Sequence, residues 1–397
     1  MARMRVSAAA AAALFVAVVV ASPLLASSQQ PAMAPAAAAA PTNNSRLEKA
    51  YVALQALKRA ITDDPKNLTH SWCGPEVCGY FGVYCAAAPD DPCARTVAGV
   101  DLNHGDLAGT LPEELGLLTD LAVFHLNSNR FCGSLPDSLR NLHRLHEIDV
   151  SNNHLSGSFP SQLLCLPDLK YVDLRFNNLC GEVPAAIFEK KIDALFINNN
   201  NFDFKLTESF SNSTASVIVL ANLPKLGGCL PSSIGDMAET LNELVLLNSG
   251  ISSCIPPEIG KLDKLTVLDL SFNDFAGALP ETIGHMRALE QLNVAHNGLA
   301  GEIPDSMLRR SRTSRTSPTP TTSSAASRTA ASRCRTLTTA RTASPAAPTS
   351  APARSASRSC TARRCTATRT AASRRCRRRR RRRRCTTRLR RRYIDLR

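Results

Sequence analysis

L-K-Y-V-D-L-R-F-N-N-L, residues 169–179, decides the fold. Apolar side chains stand at its positions 1, 4, 6 and 11, and Asn177 stands at position 9. The same pattern restarts at Val97, Leu121, Leu145, Leu169, Ile192, Ser216, Leu241, Leu265 and Leu289, at intervals of 23 to 25 residues. Position 16 is Pro in eight of the nine, from Pro112 to Pro304. Position 13 is Gly in seven. A fixed period near 24 in this register is the signature of a leucine-rich solenoid. Each repeat can bury its apolar positions only against its neighbours, so the array must stack.

The short x-L-x-L-x piece reads as a strand whose alternate residues face outward. The position-9 Asn turns the chain out of that strand. Its amide can satisfy backbone groups the turn leaves unpaired. Stacking then predicts a ladder of Asn129, Asn153, Asn177, Asn200, Asn273 and Asn297. In this register the ladder lapses at Gly105, Pro224 and Ser249, and residues 192–256 are the irregular part.

Outside the repeats the chain divides clearly. Residues 1–28 have Arg3 and Arg5, an apolar run from Ala8 to Leu25 and then small residues, the form of a secretory signal peptide. Residues 29–45 read as a flexible leader rich in Ala and Pro. In 46–96, Leu47, Tyr51, Leu54, Leu57 and Ile61 recur at helical spacing, followed by Trp72 and four Cys, which predicts a helical, Cys-rich N-terminal cap. Residues 97–307 hold the nine repeats, and 308–397 are an Arg/Ser/Thr/Ala-rich tail expected to be disordered. The fold expected is thus an α/β leucine-rich-repeat solenoid of the right-handed, 24-residue plant type. No second apolar run reaches the ~18 residues a membrane span needs.

Charge separates the same parts. The net charge is +15, but residues 309–397 hold 28 Arg against one acid and contribute +27, which leaves −12 on the rest. An acidic body suits a basic partner and argues against nucleic acid. On the outward strand positions stand Asp101, Asp149, Asp173 and Asp269 at position 5 and Glu147 and Glu243 at position 3, with Tyr171, Phe176 and Phe196 beside them. Acids set among aromatics form a candidate peptide-binding face, since complementary charge speeds docking and aromatic rings anchor it.

No Gly-rich phosphate loop, isolated carboxylate pair or metal-type Cys/His spacing occurs, so neither catalysis nor a cofactor or metal is expected. Nine Cys lie between Cys73 and Cys254. In an oxidising compartment disulfides are the default. Two bonds are expected among Cys73, Cys78, Cys85 and Cys93. A bond is also expected between Cys229 and Cys254, which occupy the same position on adjacent repeats ~4.8 Å apart. Cys132 and Cys180 lie two repeats apart, about 10 Å, too far to pair directly. The odd count hints at a disulfide-linked homodimer. Asn43, Asn67 and Asn212 head N-glycosylation sequons.

Several stretches are more specific than the repeat consensus: V-A-G-V-D-L-N-H-G-D-L-A-G-T-L-P-E-E-L-G-L-L-T-D-L-A-V-F-H-L-N-S-N-R-F-C-G (97–133), S-V-I-V-L-A-N (216–222), T-L-N-E-L (240–244) and L-E-Q-L-N-V-A-H-N (289–297). With 169–177 they closely resemble the plant leucine-rich repeat extensins, from about Leu47 to Met307. The resemblance implies a cell-wall protein that is not an enzyme. It implies a repeat domain binding small basic, Cys-rich signalling peptides of the rapid alkalinization factor type, and an extensin tail that anchors to wall polysaccharide. The alternative is an inhibitor of wall hydrolases of the polygalacturonase-inhibitor kind. The chain departs from the family at about Leu308. From 309 on there is no Gly, Asn, Gln, Glu or Lys, and the abundant Arg, Ser, Thr, Ala and Pro are the residues expected of an extensin region whose Pro codons are read out of frame.

Overall fold

The structure, a computed structural model, describes residues 45–307. The signal peptide, leader and tail expected from the sequence, and Asn43 with them, lie outside the described residues.

Nine rungs stack in sequence order. Their short strands form one ten-stranded sheet: Asp91–Asp101, Val123–His125, Glu147–Asp149, Tyr171–Asp173, Ala194–Phe196, Val217–Val219, Glu243–Val245, Val267–Asp269 and Gln291–Asn293, preceded by Val83–Ala88, which pairs antiparallel with the first. All the others pair parallel, each with the rung before it. The middle residue of each strand points into the core, where Phe124, Ile148, Val172, Leu195, Ile218, Leu244 and Leu268 are buried. The flanking residues line the other side, which is called the strand face below.

The position-16 prolines end a second set of short strands and begin one-turn 3₁₀ helices. Pro112, Pro136, Pro160, Pro231, Pro256 and Pro280 cap them, with φ between −64° and −81°. Proline is preset to that φ, and a helix start needs no N–H there. The fifth rung has Thr207 in this place.

The Asn ladder closes as expected. Asn177 Nδ2 lies 2.9–3.2 Å from the carbonyls of Val150, Leu174 and Arg175, and its Oδ1 accepts from Leu155 N at 3.0 Å. Asn129, Asn153, Asn200, Asn273 and Asn297 repeat the arrangement. At Ser249 the hydroxyl reaches Leu220 O at 2.5 Å and Leu247 O at 3.1 Å, while Asn273 Oδ1 receives both Ser249 N and Ile251 N. A two-atom side chain thus covers part of the work, and the next rung covers more.

One register reading needs correcting. Leu195 pairs with Ile218 and Ile218 with Leu244, so the sixth repeat begins at Ala215, which is buried, and not at Ser216. A 23-residue repeat is then followed by one of 26. The ladder position there is Leu223, fully buried, and not Pro224. The slip arose because Val217, Val219 and Ala221 offer an apolar alternation one residue out of phase with Ile218 and Leu220.

The corrected register exposes a feature the consensus hides. Position 8 is left-handed in every rung: His104, Ser128, Asn152, Phe176, Asn199, Asn222, Asn248, Phe272 and His296 have φ between 52° and 58°. Asn tolerates this conformation, whereas Phe rarely adopts it. Phe176 and Phe272 are held there by the stack on either side, with their rings exposed.

The cap forms from Ser45–Ala60, whose Ala50, Ala53, Leu54 and Leu57 are buried against the first rung. Trp72 is fully buried, stacks on Tyr80 at 5.5 Å and donates from Nε1 to Phe81 O at 2.9 Å. Arg46 ties the helix to Asp90 (2.6 Å) and to Asp120 (2.5 Å). A Cβ at Gly109 would lie 2.3 Å from Ala60 O, so only glycine lets the cap close on the first rung.

Of the two bonds expected in the cap, one is present, Cys78–Cys85, with Cα atoms 5.6 Å apart. Cys73 and Cys93 are free and exposed, as is Cys165. The turn at Val77–Gly79 packs on the strand Val83–Ala88 and presents Cys78 to Cys85. Cys73 instead sits by His70 O at 3.4 Å and Lys58 Nζ at 3.9 Å. Cys229 and Cys254 are both disulfide-bonded, and so are Cys132 and Cys180. Alkylation of the native chain followed by peptide mass spectrometry should therefore label Cys73, Cys93 and Cys165 and leave the other six described cysteines untouched. Labelling of Cys78 or Cys85 without reductant would contradict this pairing.

Candidate functional site

The strand face is built from positions 3, 5 and 7 of each rung, and the structure divides the predicted residues into two kinds. The first kind builds the face. Asp101, Asp149, Asp173 and Asp269 each accept a hydrogen bond through Oδ1 from the backbone N–H two residues on, at 2.9–3.1 Å. Asn293 does the same for Ala295 N. A short acidic or amide side chain can turn the chain in this way, which explains its use at position 5. Asp173, Asp269 and Phe196 are at most 5% exposed, so they wall the face and do not project from it.

The second kind projects. Glu147, Asp149 and Tyr171 are part-exposed and Phe176 is 45% exposed. Glu147 Oε2 lies 3.3 Å from His125 Nε2. Asp149 Oδ2 receives Asn127 Nδ2 at 3.3 Å.

The most concentrated chemistry sits on the fourth and fifth rungs. Tyr171 and Phe196 pack with ring centres 5.6 Å apart, and the Arg175 guanidinium lies 5.2 Å over the Phe196 ring. Arg175 Nε is 2.9 Å from Asp173 Oδ2, in a geometry that makes no hydrogen bond. Burial, then the neighbouring Asp149, pushes the Asp173 carboxyl up to about 7, against the pull of Arg175. Burial and then the Asp173 charge push the Tyr171 phenol up as well. Asn198 Oδ1 and His125 Nε2, also on this face, are buried without a hydrogen bond from the protein. Asp173 Oδ2 and His125 Nε2 still face Arg175 and Glu147, so Asn198 Oδ1 is the one of the three without a facing partner.

The sequence reading missed Arg175 and Asn198, both at position 7. It also missed the apolar half of the face. Val217, Val219, Val245 and Val267 are part-exposed on the sixth to eighth rungs, with Glu243 among them. Reading columns down the repeats, and not patterns along each one, would have found all of these. Among the described residues no group of three or more His, Cys, Asp or Glu side chains is placed to hold a metal ion. Among them, too, no helix is long and apolar enough to cross a membrane.

The leucine-rich repeat family profile matches residues 120–142, 144–166 and 264–286. The chain is 63% identical over 231 residues to leucine-rich repeat extensin-like protein 6 of Arabidopsis thaliana, covering 58% of this chain and 49% of that protein. It is 58% identical over 234 residues to extensin-like protein 7 of the same plant, covering 59% and 54%. Over its repeats the chain is a relative of the leucine-rich repeat extensins. It spans about half the length of these relatives. Among solved structures it is similar to the Arabidopsis receptor kinase HAESA in complex with the peptide hormone IDA and the co-receptor SERK1, with a TM-score of 0.59 and 31% identity over 65% of this chain and 43% of that one. The extensin-type body and the receptor ectodomain therefore share one repeat architecture, in which a sheet of short parallel strands presents one open side.

Proposed function

We propose that this chain is a secreted, wall-associated binding protein whose strand face takes a basic, Cys-rich signalling peptide of the rapid alkalinization factor type and so links the wall to growth control. The observation that carries the reading is the placement of Asp101, Glu147, Asp149, Tyr171 and Asp173 on one side of the first, third and fourth rungs, with Phe196 behind them. A basic peptide is drawn by the acids and held by the rings. Arg175 divides the acidic stretch, so the peptide's cations belong beside Glu147 and Asp149. The extensin-like relatives favour the wall association, and the receptor structure that holds a peptide hormone favours a peptide ligand. Contact with wall polysaccharide belongs to the part of such proteins beyond the repeats. The three free thiols would serve a disulfide-linked homodimer. Asn67 and Asn212 are exposed, as glycan acceptors must be.

The test is titration of the full chain with a synthetic, disulfide-closed basic peptide of this type. Binding should weaken steeply between 50 and 300 mM salt, and Glu147→Lys should cost about tenfold in affinity, roughly 1.4 kcal/mol. A chain that binds no such peptide at low salt would overturn the proposal.

A further inference from the structure

Every other carboxylate on the strand face already has a partner. Asp101 holds Asn103 N, Asp149 holds Ser151 N and Asn127, Asp173 faces Arg175, Asp269 holds Ser271 and Asn293, and Glu147 faces His125. Glu243 differs. Among the described residues it makes no ion pair and no side-chain hydrogen bond. Its neighbours across the sheet at the same level are Val217 and Val267. Val245 lies two residues along the same strand, and Val219 pairs with Val245. Leu247 and Ala221 continue the apolar surface at position 7. The carboxylate thus sits in a frame of aliphatic side chains, half withdrawn from water. Burial alone pushes its carboxyl above the usual carboxylate range.

An arrangement like this costs the free protein stability, because a charge is desolvated with nothing to compensate it. The fold does not need it. Val217, Val219, Val245 and Val267 occupy equivalent outward positions with plain aliphatic groups, and a valine would serve at position 243. What the frame fits is a cation carried on an aliphatic stem, whose methylenes lie on the valines while its head meets the one carboxylate. We propose that Glu243 and its valine frame seat a single lysine or arginine side chain of an extended peptide segment, with apolar residues of that segment on either side against Val217, Val219 and Val267. This rests on the reading of the strand face as a peptide seat and gives it a second subsite. The acids and rings of the first to fifth rungs read clustered charge. The sixth to eighth rungs read one charge in an apolar context.

The experiment uses the full-length chain and three libraries of synthetic nonapeptides. In the first a central lysine is flanked by apolar residues, in the second norleucine replaces that lysine, and in the third glutamate does. The wild-type chain should bind the lysine library at least tenfold more tightly than the norleucine library. In Glu243→Gln the preference should collapse to within about twofold, while Glu48→Gln, on the exposed side of the cap helix, keeps it. Glu243→Lys should reverse the preference toward the glutamate library. Unfolding curves check that each variant is folded. A lysine preference that survives Glu243→Gln overturns the inference, as does the absence of any preference in the wild type. Binding of the folded basic peptide to wild type and to Glu243→Gln is measured in parallel. Equal, tight binding to both sinks this subsite and leaves the proposed function standing. Binding to neither sinks both.

Discussion

Replacing Asn177 by Ala should lower the stability of the repeat body by about 2–3 kcal/mol, a large effect for a single polar substitution. The amide donates toward three carbonyls on two rungs and accepts from the backbone of the rung before, buried at every contact but the one to Arg175 O. Alanine takes the acceptor from Leu155 N and removes one of two donors from each carbonyl, which keep Asn153 Nδ2, Asn200 Nδ2 and Asn152 N. Each buried group left unmatched costs roughly 1–3 kcal/mol. The loss spreads to both neighbours, because a rung is stable only through its interfaces. Urea unfolding followed by circular dichroism measures it, with exposed Lys49→Ala as the neutral reference. A loss below about 1 kcal/mol would mean that water or a shifted backbone replaces the amide and that the ladder is ornament.

The second large effect concerns pH. Asp173 is fully buried, beside Asp149 on one side and Phe196 on the other, with Tyr171 and Arg175 from its own rung and Glu147 with its His125 neighbour further along the face. Its carboxyl titrates near 7 in the folded chain, against about 3.9 when unfolded. The folded state therefore binds more protons than the unfolded one between those values. Stability from this group is fully present below pH 4 and is lost as pH rises through 7. Glu243, raised by burial, acts in the same direction. Asp64 acts oppositely. Burial pushes its carboxyl up, but the N–H groups of Thr69 and Leu68 outweigh burial and hold it low, so its contribution disappears only in strong acid. Asp173→Asn keeps an oxygen for Arg175 N and removes the charge. It should match the wild type at pH 4 and exceed it by about 2–4 kcal/mol at pH 8, since each tenfold change in proton affinity is worth ~1.4 kcal/mol. A difference that does not change with pH would show that Asp173 stays charged throughout. The same titration alters the face that would meet a basic ligand, since below pH 7 it carries one negative charge fewer.

These two residues also mark how far the sequence could be read. Asn177 was legible because position 9 recurs at a fixed interval and only an amide both donates and accepts at that turn. The solenoid and the recurring position-16 prolines were legible for the same reason: repetition multiplies a weak local signal. Asp173 was legible as an outward strand residue but not as a buried one. Its burial comes from Tyr171, Phe196 and Arg175, which reach it from neighbouring positions, and no pattern along one repeat carries that. Val217 to Ala221 misled the register because β-strand alternation has two phases and the sixth repeat is apolar in both. The cap disulfide needed three dimensions, since four cysteines within about twenty residues leave their pairing open. The left-handed position 8 was hidden because its residues, from Asn to Phe, share a backbone conformation and no side-chain chemistry.

The central claim is that the strand face, and no other side of the solenoid, receives the ligand. Hydrogen exchange of the full chain with and without a synthetic basic Cys-rich peptide tests it most directly. Slowed exchange should appear in 147–151, 171–176, 194–198 and 217–221 and extend to 243–247, while the 3₁₀ turns at 137–141, 232–237 and 257–261 stay unchanged. Protection confined to those turns, with the strands untouched, would contradict the account.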